Sequence, residues 1–174
     1  AFGYGNKVGG EHAIASGYNN NIAGNFASAF GTENTVSNIR SAAVGSNNTV
    51  SGEISNAFGY NNIASGSKSN VFGTGNTVSG SSSNAVGTAN EVAAENSTAI
   101  GNNNTISSGA ENSAALGNNI SISLKDSVAL GNNSTATAIN SVTGNSSYTK
   151  WAGVSDVVGV VSVGSSGATR QIQN

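Results

Sequence analysis

Apolar residues return along this chain with a period of fourteen, and each return is tied to a glycine. The glycines stand at Gly3, Gly17, Gly31, Gly45, Gly59, Gly73, Gly87 and Gly101, then after one step of sixteen at Gly117, and after a further fourteen at Gly131. Immediately before them come Phe2, Phe30, Val44, Phe58, Phe72, Val86, Ile100, Leu116 and Leu130, with Ser16 as the one exception. A second apolar column follows five residues after each glycine: Val8, Ile22, Val36, Val50, Ala64, Val78, Val92, Ile106, Ile122 and Ala136. A short fixed period of this kind marks a solenoid, in which each repeat buries its apolar side chains against its neighbours.

One repeat shows how a coil is built. Ala42 to Val44 is a brief apolar run bounded by Gly45, which predicts a strand followed by a turn at the glycine. Asn48, like Asn6, Asn20, Asn34, Asn62, Asn76, Asn90 and Asn104 in the other repeats, comes three residues after the glycine, where a corner residue tolerant of left-handed backbone is expected. Thr49-Val50 is the second strand, and Ser51 to Ser55 the second corner. Two strands and two corners describe a coil of a flattened parallel β-roll, with coils stacked about 4.8 Å apart. Alternation along the strands assigns the residue before the glycine and the one five after it to the interior. The nearly constant alanine two before it (Ala15, Ala29, Ala43, Ala57, Ala85) would then face outward, where only another surface in close approach requires a side chain so small. A homo-oligomer is the expectation.

Composition narrows the function classes. Charged residues make up 8% of the 174, and the net charge is −2. With no basic patch, nucleic acid is not an expected partner. Cysteine is absent, which excludes disulfides and thiolate metal sites, and no run of about twenty apolar residues predicts a membrane span. The chain starts in register at Ala1 without a signal segment and reads as part of a longer polypeptide.

The repeat resembles the head domain of the trimeric autotransporter adhesins, of the Yersinia-adhesin type, whose pattern is similar to N-S-V-A-I-G-x-x-S. Asp126-Ser127-Val128-Ala129-Leu130-Gly131-Asn132-Asn133-Ser134 carries it most clearly, with Asn96 to Gly101 and Asn112 to Gly117 as near matches. At the end, Val160-Val161-Ser162-Val163-Gly164 followed by Thr169-Arg170-Gln171-Ile172-Gln173-Asn174 resembles the family's neck, although Gln173 stands where threonine is usual. The resemblance implies an all-β, left-handed parallel β-roll solenoid with 14-residue coils, assembled as a homotrimer: head repeats over 1–137, a transition over 138–159 and a truncated neck over 160–174. It places Trp151, Val161, Val163, Arg170 and Ile172 at the trimer interface or neck, Trp151 packing near the axis or capping the roll. It implies a virulence-associated adhesin on the surface of a Gram-negative bacterium, anchored in the outer membrane by a segment outside this chain. Collagen, fibronectin, laminin or a carcinoembryonic-antigen-related adhesion molecule would be the host partner.

Enzymatic chemistry has little to stand on. Glu11, Glu53, Glu95 and Glu111 share a corner column, but Glu11 and Glu53 are three coils apart, about 14 Å, which is too far for a paired-carboxylate mechanism. No aspartate recurs once per turn as a calcium roll requires. No cofactor or metal is expected. The candidate ligand contacts are Tyr4, Tyr18 and Tyr60, one residue after their glycines and predicted to point outward, against the plainer reading that they cover subunit boundaries. A threonine column four after the glycine (Thr35, Thr49, Thr77, Thr105 and Thr135) raises an ice-binding solenoid as an alternative, opposed by its single, interrupted character. A spacer that carries a more distal binding domain is the other alternative to an adhesive head.

Overall fold

In the computed structural model, residues 1–138 and 159–166 are described. They form an all-β parallel solenoid of about ten turns. Strands of five residues, such as Ala42–Ser46 and Asn56–Tyr60, stack into one parallel sheet of eleven strands. Two-residue strands, such as Thr49–Val50 and Ile63–Ala64, stack into a second parallel sheet of ten. Pairing keeps the sequence period without slippage: Ala57 lies beside Ala43 and Val71, and Gly59 beside Gly45 and Gly73. No helix occurs among the described residues, and so none is long and apolar enough to cross a membrane.

Alternation holds, and the column five after the glycine is interior as expected, but the parity of the long strand is the reverse of the expectation. The alanine column is the core: Ala29, Ala43, Ala57, Ala85, Ala99, Ala115 and Ala129 are fully buried and meet Val36, Val50, Val78, Val92 and Ile106 from the facing sheet. The larger residues before the glycines point out, and Phe30 and Phe72 are each 44% exposed. Each coil is so thin that alanine opposite valine fills it. The small residue is therefore required by the second sheet of its own chain, and the step from the alanine column to an approaching partner surface falls. Ser16 ceases to be an anomaly, because its column faces outward.

The two corners also differ from the sequence reading. Gly45 does not make the turn. It lies within its strand at a φ of 118°, which a side chain would not tolerate, and a Cβ there would overlap the carbonyl oxygen of Gly59 on the next coil. The left-handed corner residue comes two positions later, at Asn47 with φ 57°. Asn48 turns inward instead and is fully buried. Its Nδ2 donates to Asn34 Oδ1 at 3.0 Å and to the Gly59 carbonyl at 2.9 Å. Its Oδ1 accepts from the backbone N–H and the Nδ2 of Asn62, both at 3.0 Å. The same amide ladder runs from Asn6 to Asn104, where it hands over to Ile120, whose backbone N–H donates to Asn104 Oδ1 at 3.0 Å. A buried amide without partners is costly, and stacking at the coil repeat supplies them in series.

A serine ladder completes the opposite edge of the interior. Ser55 Oγ donates to the Gly66 carbonyl at 2.7 Å and accepts from the Ser69 backbone N–H at 3.1 Å. Among the described residues, no buried side-chain nitrogen or oxygen lacks a hydrogen-bond partner. The two extra residues between Gly101 and Gly117 leave this interior undisturbed. They form an exposed turn closed by the Ala110 N–H on the Ser107 carbonyl at 3.1 Å, and Ile106 still pairs with Ile122.

Candidate functional site

With the interior occupied by alanine, valine, asparagine and serine, function falls to the columns that point outward. The outer face of the long-strand sheet carries the apolar stripe from Phe2 to Leu130 down its middle. Phe58 and Phe72 stack within it, centroids 4.9 Å apart and planes within 2°. Beside the stripe, two residues on and on the same face, runs the column of Tyr4, Tyr18 and Tyr60.

All three tyrosines are exposed, in keeping with the outward orientation expected of them. Tyr4 and Tyr18 stack at 5.7 Å. Tyr60 is not brought to them; three coils separate it from Tyr18, about 14 Å along the roll. Phe26 also stays apart, at the second corner, where it stacks on His12 at 5.0 Å.

The outer face of the short-strand sheet presents hydroxyls. Thr35, Thr49, Thr77 and Thr105 point out as the alternation requires. The column is not single, however. Ser37, Ser51, Ser79 and Ser107, two residues further along each coil, line up as a second hydroxyl column that the sequence reading missed. The signal was the repeated Thr-Val-Ser triplet.

The second corner collects most of the charge. Glu11, Glu53, Glu95 and Glu111 lie along its edge, followed in each coil by a residue in the left-handed region: His12, Ile54, Asn96 and Asn112. Among the described residues, no group of three or more His, Asp or Glu side chains is placed to hold a metal ion.

At the C-terminal end, Val161–Ser162 adds a further parallel strand beside Val128–Leu130, with Val161 opposite Val128 and Ser162 opposite Ala129. Ser162 thus continues the alanine column, and Val161, 72% exposed, continues outward. The Thr135 N–H donates to the Gly164 carbonyl at 3.0 Å, so this segment reaches the short-strand side as well. Val163 is among the described residues; Trp151, Arg170 and Ile172 lie outside them.

The model of the YadA head domain repeat family matches residues 1–20, 23–48, 79–104 and 125–142, more than half of the chain. No curated protein matches it.

Proposed function

Because the chain belongs to the family of YadA head domain repeats, we propose that it is the head of a bacterial surface adhesin, a left-handed roll assembled as a homotrimer and ending in a neck over 160–174. The family and the solenoid fold both support an adhesin-like, structural role. The observation that carries the assembly is the apolar stripe. A side chain of this size contributes about 1.5–3 kcal/mol on full burial, so covering the exposed fraction of each contributes about 1 kcal/mol per coil. Nine such residues in a line broken only at Ser16, seven of them exposed, match an interface between identical rods lying side by side. Val161 and Val163 would extend that interface into the neck, where Arg170, Ile172 and Trp151 join it.

Such a head would attach cells to an extracellular-matrix protein or receptor of the collagen, fibronectin, laminin or carcinoembryonic-antigen-related type. Three equal faces per rod and many rods per cell make weak contacts additive through avidity. The exposed Tyr4 and Tyr18 pair is a contact candidate beside the stripe. Light scattering of the purified chain tests the assembly. A mass of three chains supports the proposal, and a monodisperse folded monomer refutes it. Attachment is tested by binding of the assembled protein to immobilised matrix proteins.

One observation favours a second reading. The paired threonine and serine columns place two hydroxyls on one face in four coils, an element of an ice-binding surface, although Lys7, Ile63 and Glu91 interrupt the threonine column. Thermal hysteresis in a solution of the protein would establish that activity; its absence at high concentration would remove it.

A further inference from the structure

The two corners of the coil impose the same backbone demand and meet it with different residues. Each places one residue per coil in the left-handed region, and every non-glycine residue there has a φ between 52° and 58°. The first corner answers mainly with the residues that enter this region most easily, as at Asn19, Asn47, Asn61, Gly75, Asn103 and Asn119. The second corner does the same toward its C-terminal end, at Asn96, Asn112 and Asp126. Over consecutive coils before that it does not. There it carries His12, Phe26, Arg40, Ile54 and Lys68. A β-branched or bulky residue in this conformation is an outlier, and here Phe26, Arg40, Ile54 and Lys68 hold it on four consecutive coils, between His12, a type that enters the region more readily, and Ser82.

Nothing inside the roll calls for them. All five side chains are exposed, and the interior behind them is completed by the serine ladder. Among the described residues, the Arg40 and Lys68 side chains have no hydrogen-bond or ion-pair partner. Within the block, His12 and Phe26 stack with centroids 5.0 Å apart. Backbone strain kept at exposed positions, with no internal compensation, argues for an external contact.

We propose that this ridge is the docking surface for a protein partner that offers carboxylates to Arg40 and Lys68 and apolar side chains to Phe26 and Ile54. The proposal rests on the adhesin reading and locates its binding surface. The five residues span about 19 Å along the roll, with Arg40 and Lys68 about 10 Å apart and an apolar side chain between them. Exposed aromatic and arginine side chains are the residue types that dominate protein interfaces. A continuous polyanion is disfavoured, because it cannot avoid Glu11 and Glu53 in the adjacent column, whereas discrete carboxylates can be placed against Arg40 and Lys68 alone. A second copy of the chain is a poor complement: its first-corner column offers one carboxylate, Glu33, and no two of Glu11, Glu53, Glu95 and Glu111 stand two coils apart as Arg40 and Lys68 do.

The test uses the assembled full chain with His12, Phe26, Arg40, Ile54 and Lys68 all replaced by asparagine, and a second variant with Arg40→Gln and Lys68→Gln only. The probes are immobilised fibronectin, laminin and collagen, and peptides selected on the parent protein from a phage-displayed library. The fivefold variant should keep the parent's assembled mass and melt at or above its midpoint, because asparagine relieves the strain. It should nevertheless bind at least about tenfold more weakly, with the double glutamine variant in between. Selected peptides should be rich in aspartate, glutamate and apolar residues. Unchanged binding by the fivefold variant overturns the proposal. So does a lower assembled mass, which would make the ridge a seam between copies, or competition by heparin, which would make the ligand a polysaccharide. If the parent binds none of the matrix proteins but selects ridge-dependent peptides, the matrix-adhesion reading fails and the ridge stands.

Discussion

Replacing Asn62 by alanine removes one rung from the middle of the amide ladder, and its cost can be worked out bond by bond. The Asn62 side chain donates to Asn48 Oδ1 at 3.0 Å and to the Gly73 carbonyl at 2.8 Å, and its Oδ1 accepts from the Asn76 backbone N–H and Asn76 Nδ2, both at 3.0 Å. Two of these groups keep other partners. Asn48 Oδ1 still accepts from the Asn62 backbone N–H at 3.0 Å, and Asn76 Nδ2 still donates to the Gly87 carbonyl at 2.8 Å. The Asn76 backbone N–H loses the acceptor that tied it, in an interior closed to water, while the Gly73 carbonyl, inside a paired strand, loses one side-chain donor. An orphaned buried group costs about 1–3 kcal/mol, so the rung is worth at least that. Chemical denaturation at fixed protein concentration measures the loss, and hydrogen exchange locates it: the Asn76 amide should lose protection while amides several coils away keep theirs, as expected when coils couple only to neighbours. Asn62→Asp should be worse than alanine at neutral pH, since it restores the acceptor but sets a buried carboxylate against the Asn48 and Gly73 oxygens. A cost below about 0.5 kcal/mol for Asn62→Ala, the level of an ordinary surface substitution, would refute the ladder as a stabilising element.

The reversed core parity makes an opposed pair of predictions. Ala57→Leu, at a fully buried position, should destabilise the fold by about 1–3 kcal/mol or more through overpacking, as read by thermal melting. Phe58→Asn together with Phe72→Asn, on the outward stripe, should leave each chain's circular dichroism intact while lowering the assembled mass in light scattering. Deleting Ser108 and Gly109, the exposed turn of the sixteen-residue coil, should change stability by less than about 1 kcal/mol, because both flanking strand pairings already hold their register across it. Ile54→Asn alone should raise stability by about 1 kcal/mol, measured as a shift in denaturation midpoint, by relieving a left-handed β-branched residue.

Period and alternation made the solenoid, its two strands per coil and its corners legible, because both are properties of spacing. They could not say which of two alternating columns faces in, since a strand turned over has the same period. The missing criterion was volume. A stacked core without voids needs a nearly constant cross-section from coil to coil. The column before the glycines runs from Ser16 to Phe30, which no such core could absorb, whereas the alanine column departs from alanine only at Val71 among the buried coils. Even that departure is matched: Val71 directly follows Ala64, one of two alanines, with Ala136, in a facing column otherwise of valine and isoleucine. The asparagine column yields to the same reasoning. A residue needed only for left-handed backbone can be exchanged for glycine, aspartate or even lysine, as both corners of this chain show. Asparagine repeated from Asn6 to Asn104 without a single exchange exceeds that conformational need, and a ladder in which each side-chain amide from Asn20 to Asn90 donates to one neighbour and accepts from the other accounts for it. Constancy along a solenoid column thus marks the interior, and variation marks the surface. On that criterion the tyrosines and the cationic–apolar ridge, both confined to a few coils, are surface features that the packing of the roll does not require.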